Sequence, residues 1–328
     1  MSTLEPYANW LAEKYDNLPH GKYVTLFVRR QAESEVIFRT EGSGEDLSKE
    51  LTFAGRANKE QLSRVVISKR KQTAVERRTG RELLREHGFL FFDGATRQGK
   101  EEDRCGLNRN KPCAICADCM IYGYAVGGGG AQKSRVMTDD AFSVLPANMI
   151  TGKRTFNAPY DNGTMRDPVT GDASHSIQAD PYVKPGAVFL DMETLKDVTP
   201  DELRYVLGNL LRTRRYGAIS SRLGKMSNTL LGVVFSDCEL FSNLELTQEV
   251  YDRLKAQAPD GDLSFPLDSE AVDAVAKAAI DSLWNEVVGR KHRLPDAEVT
   301  ALVGEVGDVF ADADKVKALL ERLSGLYS

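Results

Sequence analysis

The sequence predicts an α+β fold in which a sheet carries helices on one side. Three observations predict it. Short apolar runs of strand length mix with segments at helical spacing, a long stretch rich in glycine, proline, asparagine and cysteine interrupts them, and the C-terminal part reads as helix.

The first element is a predicted hairpin. Tyr23, Thr25 and Phe27 alternate with Val24, Leu26 and Val28, and a second run from Glu35 to Thr40 follows a polar connection over Arg30 to Ser34. Thr40 to Asp46 is a loop by composition. Val65-Val66-Ile67 is a strand, Arg81 to His87 the end of a helix, and Gly88 its stop. Phe89 to Phe92 is expected as a short buried strand. From about Ala95 to Pro185 long apolar periodicity disappears, and this stretch reads as a large insertion; within it Asn162-Gly163 signals a tight turn. Regular structure resumes with a strand at Ala187 to Met192. Thr199, Pro200 and Glu202 then form a capping box ahead of Leu203, Val206, Leu207, Leu210 and Leu211 at helical spacing, with Gly217 as the expected end. Leu230 to Phe235 is a strand. The remainder reads as helix: the stripe Val272, Val275, Ala276, Ala279, Leu283, Val287, then Ala297 to Phe310 and Ala313 to Leu326. This order is compatible with a ferredoxin-like (RRM-like) core, while a doubly wound fold needs more regular alternation. The implied organisation is 1–94 and 186–245 as two halves of a palm, 95–185 as the insertion, and 246–328 as a helical region.

Charge is unevenly spread over the 328 residues, whose net charge is −5. Arg64 to Arg85 holds eight basic residues against two acids, and Leu211 to Asn228 holds five against none. From Asp237 onward there are nineteen acids and nine bases. Such a split suits a molecule with one face on a polyanion; solvated helix faces are the plainer reading. The second basic segment also offers Tyr216, Ser220, Ser221 and two glycines, a set able to cradle a sugar-phosphate chain. Neither segment is a GxxxxGK[ST] loop. No apolar run approaches the roughly 18–20 residues that span a bilayer, and the first residues do not read as a signal peptide, so a cytoplasmic protein without membrane contact is expected.

Four of five cysteines, Cys105, Cys113, Cys116 and Cys119, have the spacing C-x7-C-x2-C-x2-C. Four thiolates this close suit a tetrahedral structural zinc, with Lys111 and Arg109 nearby to offset charge. An iron–sulfur cluster and plain reduced thiols remain as rivals. Cys238 reads as a core residue. His20, His87, His175 and His292 are scattered and form no catalytic pair, and Asp93, Asp161, Asp167 and Asp191 are explained equally well by loop and capping roles as by cleavage of phosphodiesters. No enzyme constellation stands out.

The segments CGLNRNKPCAICADCMIYG, TFNAPYDNGTMRDPVTGD, VKPGAVFLDMETL and LLRTRRYGAISSRLGKMSNTLLGVVFSDCELFSNLE resemble the backbone subunit of type I-D CRISPR effector complexes, the I-D branch of the Cas-seven family. The resemblance implies an RRM-like palm with insertions, and copies polymerising head to tail along a CRISPR RNA that they display for pairing with target DNA or RNA. It also implies the other type I-D subunits as partners: the large subunit, the cap subunit and the guide-processing endonuclease. The residues expected to face RNA are Arg64, Lys69, Arg70, Lys71, Arg77, Arg78, Lys153, Arg154, Arg212, Arg214, Arg215, Ser221, Arg222 and Lys225. A thumb that wedges between guide bases is expected in the Asn157 to Asp167 turn, with Met165 as the wedge. The implied role is a non-enzymatic scaffold. The alternatives are a backbone that also cuts bound target RNA or single-stranded DNA at regular intervals, and a zinc-bearing RNA-binding protein outside CRISPR biology.

Overall fold

A computed structural model describes residues 2–39, 47–92, 99–107, 109–127, 130–156, 159–174, 178–217 and 223–327. Its strands and α-helices, in chain order, are β1 (Tyr23–Ala32), β2 (Lys49–Phe53), β3 (Gln61–Ile67), α1 (Lys69–Glu86), α2 (Ala117–Tyr122), β4 (Tyr124–Val126), β5 (Gly130–Gln132), β6 (Val136–Thr138), β7 (Ala141–Ser143), α3 (Ala147–Ile150), β8 (Thr151–Phe156), β9 (Gln178–Val183), β10 (Val188–Lys196), α4 (Pro200–Arg212), β11 (Met226–Ser236), α5 (Asn243–Gln257), α6 (Ser269–Trp284), β12 (Lys291–Arg293), α7 (Asp296–Phe310) and α8 (Ala313–Gly325).

The mixed α+β class is as expected. The main sheet runs β12-β11-β1-β10-β7-β3-β2, with β6 also on β10, while β4-β5 and β8-β9 are separate ribbons. The central strand β1 lies antiparallel to both β10 and β11, so Phe27 stands opposite Met192 on one side and Gly232 on the other. Alternation along β1 sends side chains to two different cores. Val24, Leu26 and Val28 pack with Leu83 and Leu84 of α1, Val206 and Leu210 of α4, and apolar residues of α7 and α8. Phe27, with Leu190 and Val234, packs instead against Leu246 and Val250 of α5 and the Val272, Val275, Ala276, Ala279 stripe of α6. Helices therefore cover both faces, which corrects the one-sided sheet.

Several local expectations are met. Thr199 and Glu202 make the reciprocal capping box at α4, and a second box, Ser242 with Glu245, starts α5. Gly88 follows α1 at φ +76°. Others are corrected. The run after β1 does not return as a hairpin; β1 is central and is already paired on both edges, and Val36 bridges Val183 instead. Phe89 to Phe92 are buried but form only an isolated bridge, Phe92 to Arg104. The 95–185 segment contributes β6 and β7 to the main sheet, and β12 adds a strand within the region read as purely helical. Helix α4 ends at Arg212; Gly217 serves a different purpose, because a Cβ there would lie 2.5 Å from the Ile37 carbonyl oxygen. Cys238 is half-buried, its Sγ 3.4 Å from the Val288 carbonyl.

An ionic cluster sits under α1 on the sheet. Arg30, 0% exposed, donates to Asp191 at 2.8 Å, to Glu193 at 2.8 Å and to Asn228 at 3.1 Å, and pairs with Glu76 of α1 at 2.8 Å. Tyr216 accepts from Arg30 and donates to Glu76, each at 2.8 Å. Burial raises the carboxyls of Asp191 and Glu193 above the usual range, against the lowering influence of Arg30. Glu76 adds to the rise at Glu193 by charge and by a hydrogen bond.

Candidate nucleic-acid interface and metal centre

The two basic segments meet. A cleft of about 460 Å³ is lined by Val75, Arg78, Thr79 and Glu82 of α1 and by Thr213, Arg214, Arg215, Tyr216 and Gly217 beyond α4, with Leu223. Local bonding shapes the second wall. The Tyr216 amide donates to the Gly224 carbonyl at 2.9 Å, the Met226 amide donates to the Arg214 carbonyl at 2.9 Å, and the Gly224 amide donates to Glu35 at 2.8 Å. Tyr216 anchors this strap to the buried cluster, so the strap and α1 are held by the same charged core. Arg78, Arg214 and Arg215 are exposed. Arg214 lies 3.8 Å from Glu33, and Arg215 donates to the Leu223 carbonyl at 2.7 Å. These are weak or backbone attachments that leave guanidinium donors for a phosphate.

Beside the strap stands the β8–β9 ribbon. Val183 of β9 bridges Val36, and Arg154 of β8 pairs with Glu35 at 2.7 Å, next to the contact that Glu35 makes with Gly224. Lys153 is exposed on the same strand. The turn at the ribbon's far end closes on the Gly163 amide donating to the Tyr160 carbonyl at 2.8 Å, with Gly163 at φ +73°. Met165 there is half-buried, whereas Val169 is 91% exposed. Asn157 and Ala158, the start of the expected thumb, lie outside the described residues.

The remaining sequence candidates divide. Lys69 and Arg70 line a separate cleft of about 570 Å³ with Lys133, Glu239 and Glu245. Lys71 is half-buried, Lys225 is exposed and bridges Arg215, and Arg212 lies over the Phe310 ring at 5.5 Å. Ser221 and Arg222 lie outside the described residues, as does Ser220. Two assignments are corrected. Arg64 is fully buried and donates to the carbonyls of Ser143, Val144 and Ala54, so it tethers β3 to its neighbours; burial pushes its pKa down to about 10. Arg77 grips both carboxylate oxygens of Asp118, at 2.6 and 2.9 Å, and the Gly123 carbonyl at 2.8 Å. Arg64 is closed off from a strand of nucleic acid, and Arg77 is largely committed to Asp118.

Asp118 belongs to the candidate metal centre. Cys105, Cys113, Cys116 and Cys119 are buried, and their Sγ atoms all lie within 4.8 Å of one another, with Cys105 at 3.9 Å from Cys116 and 3.5 Å from Cys119. Four sulfurs about 2.3 Å from one tetrahedral ion are separated by roughly 3.8 Å, so the four residues fit a single metal ion. Backbone amides support them: Cys113 donates to Cys105 Sγ at 3.4 Å, Cys116 to Cys113 Sγ at 3.3 Å, and Cys119 to Cys116 Sγ at 3.5 Å. The cation at the sulfurs is Arg81 of α1, whose Nη1 is 3.7 Å from Cys105 Sγ and also meets Asp118. Burial works to lower its pKa, but Asp118 and Cys105 outweigh this and hold it above the usual arginine value. Lys111 and Arg109, the expected helpers, are spent on Asp103 and on the Glu102 carbonyl. Nothing in local spacing marked Arg81, twenty-four residues before Cys105.

A family model described as Csc2 Crispr matches residues 10–320. The chain belongs to the Csc2 CRISPR family. The resemblance read from the sequence is thus met at the level of a CRISPR family, and the reading outside CRISPR biology falls away. The crystal structure of Thermofilum pendens Csc2 is similar over 99% of each chain at 19% identity and a TM-score of 0.62, which shows that the two share a fold. A structure described as a CRISPR RNA-guided surveillance complex matches over 91% of this chain and 98% of its own at 11% identity and a TM-score of 0.45. No curated protein matches the chain.

Proposed function

We propose that this chain is the CRISPR RNA-binding backbone subunit of a type I-D effector complex, polymerising head to tail along the guide and displaying it to target nucleic acid. The observation that carries the reading is the convergence of Arg78 with Arg214 and Arg215 on one cleft beside the β8–β9 ribbon. Guanidinium groups grip phosphates without reading bases, which suits a protein that must hold any guide sequence. The strand order β11-β1-β10-β7, with α1 before β7 and α4 between β10 and β11, supports an RRM-like palm. The β8–β9 ribbon is the thumb, and Val169 joins Met165 as a candidate wedge. The sheet ends in β2 with Leu51 67% exposed, a surface suited to a neighbouring copy. Zinc is the metal of the cysteine knuckle; four sulfurs packed round one point suit an ion better than a cage of several irons.

The role is that of a scaffold in the cytoplasm. Asp191 is committed to Arg30 and Asn243, and Asp167 holds the amides of Val169 and Thr170, which supports structural rather than cleaving roles for them. No helix among the described residues is long and apolar enough to cross a membrane.

The test replaces Arg78, Arg214 and Arg215 together with alanine and measures affinity for single-stranded RNA across salt. Each lost phosphate contact removes about 0.7 from the slope of log affinity against log salt, so the triple variant is expected to lose roughly two units. An unchanged affinity and slope would show that the cleft does not hold RNA.

A further inference from the structure

We propose that Arg81 and Asp118 couple metal occupancy of the four-cysteine knuckle to the RNA cleft through helix α1, so that metal and RNA bind cooperatively. The inference rests on the reading of the cleft as the RNA site and of the knuckle as a zinc site.

One helix carries both contacts. Arg77 and Arg81, a turn apart, face the knuckle; Arg78 and Glu82, each one residue on and so about 100° round the helix, face the cleft. Arg81 reaches Cys105 twice, at its sulfur and at its carbonyl oxygen. Asp118, 0% exposed, sits between Cys116 and Cys119 and receives both arginines. Helix α1 therefore grips the metal loop by one ligand and by the turn that holds two more.

Charge makes the grip depend on the ion. A dipositive metal with four thiolates carries a formal charge of −2, and two guanidiniums with one carboxylate leave an excess of +1 against it. Without the ion nothing gathers the four sulfurs, so Cys105 and the turn bearing Asp118 lose the fixed places that Arg77 and Arg81 bind on α1. The loop also has too little apolar content to order itself without metal. Whatever the metal contributes to the placement of α1 it contributes to the wall bearing Arg78, and linkage requires RNA to return the same factor to the metal.

The experiment uses the full chain, a fluorescent single-stranded RNA, and zinc with a competing chromogenic chelator. In the parent protein, zinc withdrawal is expected to weaken RNA binding about tenfold, and saturating RNA to strengthen zinc retention by the same factor. Arg81→Met, kept loaded at saturating zinc, is expected to bind RNA as weakly as the metal-free parent, with no further loss on withdrawal. Loaded Arg81→Met binding RNA like the parent would reduce Arg81 to local support and overturn the coupling. The reciprocal measurement needs no variant: zinc retention equal with and without RNA overturns the proposal even if Arg81→Met fails to fold. In both of those outcomes RNA binding itself survives, whereas a loaded parent that binds no RNA removes the functional reading as well.

Discussion

Replacing Arg30 with methionine removes the cation that, among the described residues, pairs with a buried group of three carboxylates. Glu76, Asp191 and Glu193 lie within 2.8 Å of its guanidinium, and all are at most 1% exposed. Removing one partner of such a buried ion pair costs about 3–5 kcal/mol. Methionine fills much of the space, so the loss is electrostatic rather than a cavity. The deficit also depends on pH. Burial already raises Asp191 and Glu193, and Arg30 lowers both, with Asn243 also lowering Asp191. Without Arg30 both rise further. A carboxyl whose native pKa exceeds its unfolded value leaves the folded state binding more protons, so stability falls as pH climbs from the ordinary carboxylate range through the native pKa. Each such proton is worth about 1.4 kcal/mol per pH unit. The gap between parent and Arg30→Met is therefore expected to be smallest near about pH 4.5 and to widen toward about pH 7.5. Urea unfolding followed by the fluorescence of Trp10 and Trp284, which pack against the two opposite cores, measures it. A gap below about 1 kcal/mol, or one that does not change with pH, would refute the assignment of Arg30 as the counter-charge of this cluster.

Cys116→Ser is expected to lower bound zinc from one equivalent per chain to a small fraction, measured by elemental analysis after dialysis, and to expose the 105–119 loop to limited proteolysis. A parent protein without zinc would end that claim. Arg64→Met is expected to lower thermal stability while leaving the salt slope of RNA binding unchanged, because all its contacts are internal; a flatter slope would return Arg64 to the interface.

What was legible in the sequence was whatever local chemistry determines. The Thr199–Glu202 box, the stripe of α6 and the apolar runs of β10 and β11 are written within a few residues of each other, and the structure has them there. The four cysteines were legible for the same reason. The partners of β1 were not, because they come from more than 150 residues later in the chain. The direction of an arginine is equally non-local: Arg77 and Arg78 are neighbours, yet one is claimed by Asp118 and the other lines the cleft. A basic run shows that cations are concentrated, and the acids and backbone carbonyls that fold against it decide which of them are taken up inside.

Roofing the sheet on both sides has a consequence for how bases can be met. In the common single-domain readers of RNA, bared aromatic rings on a sheet let bases lie flat against it, and those rings choose among sequences. Here that floor is taken: Phe27 is roofed by α5 and α6, and Val24, Leu26 and Val28 by α1 and α4. On the proposed function, a polynucleotide meets the described part of the molecule along its rim, where cations and backbone amides can take the ribose-phosphate edge and leave the bases outward. A body of that kind would be indifferent to what it carries, and the proposed role needs that, because the bases must stay open to a second strand.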